Sequence, residues 1–353
     1  MSRVAVVLFN LGGPDSPEAV EPFLRNLFAD PAILRVPAFI RGPLGRFIAR
    51  RRGPTARAIY AQIGGRSPIL PQTEAQARAL EAVLTTRRGD TDFRVFVAMR
   101  YWRPFARDVI VDVKAFAPDR VVLLPLYPQM STTTTESSVR EWRDVARAVG
   151  LSASTSTVCC YPAQRGFVEA AAALIRRDLD AVGQRPVRLL FSAHGLPEKV
   201  IRAGDPYQAQ VERSARAIVE RLSIDGLDHA VCYQSRVGPL KWIGPSTDSE
   251  IARAGRDGRA VVLFPVAFVS EHSETLVELD IEYRHLAERA GVPAYRRVPT
   301  VGVEAAFIDG LATLALTAAG SSRAVVNDDG DASCPAACEA CLWRSPMFAA
   351  AAG

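Results

Sequence analysis

Only four histidines occur in this 353-residue chain, and two of them, His194 and His272, stand at the ends of apolar runs of strand length. One histidine in such a place is ordinarily a satisfied structural residue; a pair at equivalent strand ends points to a shared cleft. His194 lies in Phe191-Ser192-Ala193-His194-Gly195-Leu196-Pro197, a strand-to-turn step that exposes its ring. An imidazole titrates near neutral pH, so either residue can take a proton or ligate a metal. Around His272, Glu271, Glu274, Glu278 and Glu282 follow one another at offsets of three, four and four. On a helix this spacing lines the acids along one face, with Leu276, Leu279 and Tyr283 on the apolar one. Acids at a helix start also answer its dipole, and an ordinary helix would carry them as a solvated face. Here the row begins beside a histidine at a ligand-binding edge. That combination suits a divalent cation that is handed along rather than caged.

The cysteines form a second constellation. Cys334, Cys338 and Cys341 make a Cys-x3-Cys-x2-Cys group after the polar linker Asn327-Asp328-Asp329-Gly330-Asp331, while Cys159-Cys160 end a strand in mid-chain. Three clustered thiolates and a distant one make a four-cysteine site, which fits zinc or an iron–sulfur cluster. Because side chains alternate along a strand, one of Cys159 and Cys160 points at such a site and its neighbour points away. Cys232, inside an apolar strand, reads as a small buried hydrophobe. The aromatic residues Tyr60, Tyr101, Trp102, Tyr127 and Trp242 fall near strand ends and suit a flat, largely apolar ligand. Gly12-Gly13-Pro14 is not a dinucleotide fingerprint, and neither a phosphate loop nor a Gly-x-Ser-x-Gly elbow occurs.

What must position these groups is a succession of strands and helices. Strands are expected at residues 4–10, 93–100, 121–127, 155–160, 187–192, 230–234 and 260–269, several of them continuous Val/Leu/Phe runs. Helical periodicity fills the gaps, for instance at 17–28, 137–149, 166–182, 206–222 and 274–290. The alternation predicts an α/β chain of parallel sheets. A faint repeat goes further: Leu8 to Pro14 echoes Leu190 to Pro197, Arg100 with Pro104 echoes Arg236 with Pro239, and Val122-Leu123-Leu124-Pro125 echoes Val262-Leu263-Phe264-Pro265. Two similar halves follow, with ligands beyond the carboxyl ends of their strands. The stretches to inspect are 10–14, 100–101, 127–135, 194–197, 234–236 and 270–274.

With 48% hydrophobic and 23% charged residues the chain is not disordered, and its length suits two domains. No apolar run is long enough to cross a membrane. The apolar start is too short for a signal peptide, so a cytoplasmic protein is expected. The net charge of +5 is spread along the chain and does not read as a nucleic-acid surface. One concentrated stretch, residues 46–57 with Arg50-Arg51-Arg52, follows the apolar 37–40 and reads either as a solvated loop or as a lip touching a membrane or an anionic ligand.

Taken together, the motifs resemble one family closely, the ferrochelatases, which insert ferrous iron into a porphyrin late in haem synthesis. The resemblance rests on Asn10-Leu11-Gly12-Gly13-Pro14, on Tyr60 with Ile63-Gly64-Gly65-Arg66-Ser67-Pro68-Ile69, and on Met99-Arg100-Tyr101, Tyr127-Pro128-Gln129 and Ser192 to Pro197. It continues through Gly204-Asp205-Pro206-Tyr207, Tyr233 to Pro239, Trp242 to Asp248 and Ser270 to Tyr283. It implies two Rossmann-like domains, each with a four-stranded parallel sheet flanked by helices, and an active cleft between them. The expected division is 1–160 with a membrane-facing lip at about 31–52, 161–325 with the catalytic histidine and acidic helix, and a cysteine-rich extension at 326–353. The last helix of the second domain is expected to pack back on the first.

The resemblance also assigns roles. His194, Glu274 and His272 are catalytic, with His194 as proton acceptor or, with Glu274, as ligand of the substrate iron. Glu271, Glu278 and Glu282 form a path for metal or departing protons. Leu11, Tyr60, Ser67, Arg100, Tyr101, Tyr127, Ser235 and Trp242 contact the porphyrin. Arg51 and Arg52 meet its propionates or lipid head groups at the inner membrane surface, where the protein would make peripheral contact. Cys160 or Cys159 joins Cys334, Cys338 and Cys341 around a [2Fe-2S] cluster, with zinc as the alternative. Two departures stand out: Leu11 replaces a residue that is often Met, and Ser131 to Thr133 lacks the cysteine of animal members. The apolar lip favours protoporphyrin IX over coproporphyrin III. A related cobalt or nickel chelatase would lack the cysteine tail, and a non-catalytic porphyrin or haem carrier would not need the acidic row. A monomer or a homodimer fits equally.

Overall fold

The structure is a computed structural model and describes residues 2–235, 240–328 and 339–349. Runs that are apolar on both faces need helices above and below, and so they form parallel strands. Among the described residues the strands are β1 (Ser2–Asn10), β2 (Thr91–Met99), β3 (Arg120–Pro125), β4 (Ser154–Val158), β5 (Val187–His194), β6 (His229–Gln234), β7 (Ala260–Pro265), β8 (Tyr295–Arg297) and β9 (Val325–Val326). They make two parallel sheets, ordered β2-β1-β3-β4-β9 and β6-β5-β7-β8. In the first, Val6 of β1 lies opposite Val95 of β2 and Val122 of β3. In the second, Leu190 of β5 lies opposite Ala230 of β6 and Leu263 of β7.

The internal echo is thus a repeat of sheet order: β1, β2 and β3 recur as β5, β6 and β7. The α/β class and the seven expected strands are present. The first sheet has five strands rather than four, because Val325–Val326 pairs with β4. β8 and β9, at three and two residues, are too short to show a periodicity.

The halves share one core. It runs from Val6 and Leu8 of the first sheet, through the helices Arg165–Val182 and Ala305–Gly320, to Leu189 and Phe191 of the second. Those helices meet through the Phe167 and Phe307 rings, 6.2 Å apart. They approach so closely that a Cβ on Gly166 would lie 2.1 Å from the Ala306 carbonyl oxygen, which explains a glycine there.

Residues 46–57 are not a loop. They belong to the helix Ala38–Ala61, which holds Pro43 and Pro54 within it. Proline ordinarily ends helices, and this punctuation hides the element in the sequence. The helix leaves Phe39 80% and Phe47 61% exposed.

Candidate active site

The carboxyl ends of β1, β3, β5 and β6 open onto one cavity of about 1350 Å³. That exceeds the roughly 300–1,000 Å³ of an ordinary small-ligand pocket, and it lies where open parallel sheets hold ligands. Leu11, Ile33, Leu34, Tyr127, Trp242 and Phe268 give it an apolar wall. Arg35, Arg52, Lys199 and Lys241 put cations on the same wall.

His194 is the last residue of β5, so the strand sets its direction. Its Nδ1 lies 2.9 Å from Glu274 Oε2. Its other ring nitrogen, Nε2, has no hydrogen-bond partner among the described residues and belongs to a side chain on the cavity wall. Glu274 Oε2 also accepts from Gln234 Nε2 at 3.3 Å, and the Ser235 hydroxyl oxygen lies at the same distance from it. Ser235 then turns to the next acid: its backbone N–H donates to Glu278 Oε1 at 2.9 Å, and its hydroxyl donates to Glu278 Oε2. Ser235 has φ of 58°, a left-handed conformation that costs a non-glycine residue energy and tends to occur at functional sites. Here it aims two donors of one residue at one carboxylate.

The acids stand on a π-helix, Glu274–Glu282, in which the Tyr283 N–H bonds to the Glu278 carbonyl. This wider winding is rare and concentrates at functional sites. It keeps Glu274, Glu278 and Glu282 on the cavity wall. The expected helix over 274–290 is therefore two segments, the π-helix and an α-helix Tyr283–Arg289.

The surroundings push these groups apart in acidity. Burial alone would lower the His194 pKa, but the charge and hydrogen bond of Glu274 outweigh it and raise it. Burial would raise Glu274, and the His194 charge instead holds it down at about 2. Burial and the neighbouring Glu274 charge push Glu278 up to about 7, against the Ser235 hydrogen bonds. Burial lowers His272, whose ring packs 4.6 Å from that of Phe268 and whose Nε2 has no partner among the described residues. Neighbouring groups with separated acidities are how a site divides acid and base work.

The expected site residues are not all brought to this cavity. Its wall holds His194, His272, Glu274, Glu278, Glu282, Leu11, Tyr127, Ser235 and Trp242. Glu271 is placed elsewhere: its carboxylate pairs with Arg297 at 2.6 Å and accepts from the Thr300 N–H. Ser67 is buried in its turn, its Oγ accepting from the Ile69 N–H. Tyr60 lies behind the wall with its hydroxyl 3.4 Å from that of Ser273.

Arg100 and Tyr101 turn away onto Asp30, a residue that carried no signal in the sequence. Asp30 accepts from Arg100 at 2.7 Å, from the Tyr101 hydroxyl at 2.8 Å, from Ser137 and from the Ala32 N–H. Burial works against its ionisation, but Arg100 and these donors keep its pKa below the ordinary value. The segment it anchors, Ala32 to Val36, lines the cavity. Gln234 lay in a stretch marked for inspection, but its type suggested no role.

Cys159 and Cys160 follow β4, buried, with sulfurs 3.4 Å apart, and Cys341 is buried in the same hydrophobic cluster. Cys334 and Cys338 lie outside the described residues. Among the described residues no group of three His, Cys, Asp or Glu is disposed to hold a metal ion.

Comparison with known proteins decides the family. The ferrochelatase family model matches residues 3–319. The chain belongs to the ferrochelatase family. A ferrochelatase of Phenylobacterium zucineum is 56% identical over 344 residues, covering 97% of this chain and 98% of that protein. One of Caulobacter vibrioides is 53% identical over 343 residues, covering 97% and 94%. Among solved structures SirB from Bacillus subtilis, solved with Fe3+, has a TM-score of 0.53 at 12% identity, covering 91% of this chain and 97% of that one, a likeness of fold alone. The activity expected from the sequence is that of the ferrochelatase family, and the chain is an enzyme that inserts iron into a porphyrin.

Proposed function

We propose that the cavity holds protoporphyrin IX, that His194 takes protons from its central nitrogens, and that ferrous iron replaces them. The balance is simple: Fe2+ enters, two N–H protons leave, and no electron moves. The observation that carries this reading is the His194–Glu274 pair on the wall of the large apolar cavity, continued by Glu278 and Glu282. A flat ring resists metal because its lone pairs point inward. Binding energy from the apolar wall can hold it distorted, so that the pairs face the ion. With Nδ1 engaged by Glu274, Nε2 of His194 is the nitrogen left to accept a proton. The Glu274 carboxylate stabilises the imidazolium so formed. A carboxyl near 7, as at Glu278, both accepts and releases a proton at working pH, and the exposed Glu282 passes it to water. This assigns the acidic row to protons rather than to iron.

The substrate's carboxylates would meet Arg35, Arg52, Lys199 and Lys241. Four cations also suit the four carboxylates of coproporphyrin III, which makes that ring the second reading. Lys241 is already paired with Glu198 at 3.1 Å, and the apolar wall and lip favour the less charged ring. Measured with ferrous iron under anaerobic conditions, kcat/KM is expected to be about 10-fold or more higher for protoporphyrin IX, since the more charged ring would leave a carboxylate against the apolar wall without a cation of its own. Equal or reversed values would assign the enzyme to coproporphyrin.

Two further readings accompany the first. The lip at 31–52 presents Phe39, Ile40 and Phe47 beside Arg41, Arg46 and Arg50 to Arg52, a composition that rests on an anionic membrane surface from the cytoplasmic side. No helix among the described residues is long and apolar enough to cross a membrane. Residues 1–160 and 161–325 serve as the two halves that close on the ring.

Cys160 or Cys159, with Cys334, Cys338 and Cys341, would hold a [2Fe-2S] cluster, supported by the burial of Cys341 in the cluster that contains the pair. Such a cluster supplies thiolate bonds that tie the chain's end to β4 and takes no part in iron insertion. Anaerobically purified protein is expected to carry two irons and two sulfides per chain, lost in Cys338→Ser; zinc without sulfide would give the site to the other metal.

A further inference from the structure

We infer that Gln76 is a positioning residue for iron insertion, holding the backbone of residues 269–271 where it sets His272 and Glu274 on the cavity wall. The inference rests on the reading of His194 and Glu274 given above. Gln76 belongs to the helix Ile69–Arg87, anchored through Leu80 and Leu84 in the shared core, and is fully buried. Both polar atoms of its amide are engaged across the two halves. Nε2 donates to the Val269 carbonyl at 2.8 Å and to the Gly302 carbonyl at 2.9 Å, and Oε1 accepts from the Ser270 hydroxyl at 2.9 Å.

One turn earlier, Gln72 Oε1 accepts from the Glu271 N–H at 2.7 Å. Asn10, at the end of β1, donates to Thr73 at 3.0 Å and to the Ser270 hydroxyl at 3.4 Å. Three successive residues of the loop are thus held from the first half of the chain. The next is His272, and the π-helix begins two residues later at Glu274. Two donors and an acceptor at this reach are what a glutamine offers; Glu lacks the donors and Leu lacks all three. Gln76 itself is not on the cavity wall, so it has no route to substrate except through the loop. Displacement of a catalytic group by about 1 Å can cost about 100-fold in rate, which sets the scale of the effect.

Gln76→Leu is expected to lower kcat by about 10- to 100-fold. KM for the porphyrin, and its dissociation constant by fluorescence quenching with protoporphyrin IX, are expected to stay within about 2-fold, since the cavity wall keeps its residues. Asp178→Asn serves as the stability control. Asp178 is buried on the helix Arg165–Val182, bound to Arg296 and away from the cavity; its loss lowers Tm and leaves kcat in place. A Gln76→Leu enzyme with unchanged kcat, or one whose KM rises as much as kcat falls, would overturn the proposal. So would an Asp178→Asn enzyme that loses kcat equally at an equal fall in Tm.

Should Gln76→Leu not fold, Ser270→Ala removes the hydroxyl between Gln76 and Asn10. It is expected to lower kcat about 3- to 10-fold, one neutral hydrogen bond's worth, and an unchanged kcat would again overturn the proposal. His194→Ala is measured in the same series. If it turns over like the parent, the reading of the site fails, whatever Gln76→Leu does.

Discussion

His194→Ala is expected to lower kcat for iron insertion by about 10²- to 10⁴-fold, the range contributed by one positioned general base, while the protein still binds porphyrin within a few-fold of the parent affinity. The separation follows from geometry. His194 is one of many residues on a cavity of about 1350 Å³, so binding is spread over the rest of the wall. Its Nε2 is the uncommitted imidazole nitrogen, because Nδ1 is held 2.9 Å from Glu274. The other imidazole on the wall, His272, is buried, and its Nδ1 accepts from the Thr275 N–H at 3.4 Å. Burial lowers its pKa while that of His194 is raised, so it is the weaker base of the two. A uniform loss of binding and turnover in the variant would instead mean that His194 is part of the wall and nothing more.

Glu274→Gln should produce the second large effect, with a signature in pH. The substitution keeps the shape and removes the charge. In the parent, Glu274 is the group that raises His194 against the effect of its burial. A base must be neutral to accept a proton, so kcat/KM falls as pH drops through the raised His194 value. Without the carboxylate that value falls, and the acid limb moves to lower pH. The other titratable groups near the pair agree in sign: Glu278, kept near 7 partly by the Glu274 charge, also moves down, and His272 is already low. The plateau meanwhile falls by about 10²-fold, because the imidazolium formed in the step has lost its counter-charge. An acid limb that stays in place or moves upward would contradict the assignment of the base.

Much of this arrangement was legible in the residues. Long Val/Leu/Phe runs announced β1, β3, β5 and β7, and similar strand ends announced the repeat of sheet order. His194 and the Glu274–Glu278–Glu282 row were visible because a histidine at a strand end and acids at helical spacing are unusual together. The π-winding was not visible, since Leu276, Leu279 and Tyr283 fit either helix. The helix Ala38–Ala61 was hidden by its two prolines. Arg100 and Tyr101 carry aromatic and cationic chemistry that suits a ligand, but their partner is Asp30, some 70 residues away in sequence. Gln76 and Gln234 were unreadable for a related reason: a glutamine acquires meaning only from the atoms it touches.

The most direct test of the central claim is a multiple-turnover absorbance time course under anaerobic conditions, with excess protoporphyrin IX and ferrous iron and with His194→Ala alongside. The account predicts continued growth of the protohaem spectrum over many turnovers of the parent chain, with the variant slower by at least about 100-fold. Porphyrin that binds and shifts its spectrum without taking up iron, in parent and variant alike, would contradict it and leave a carrier with an idle site.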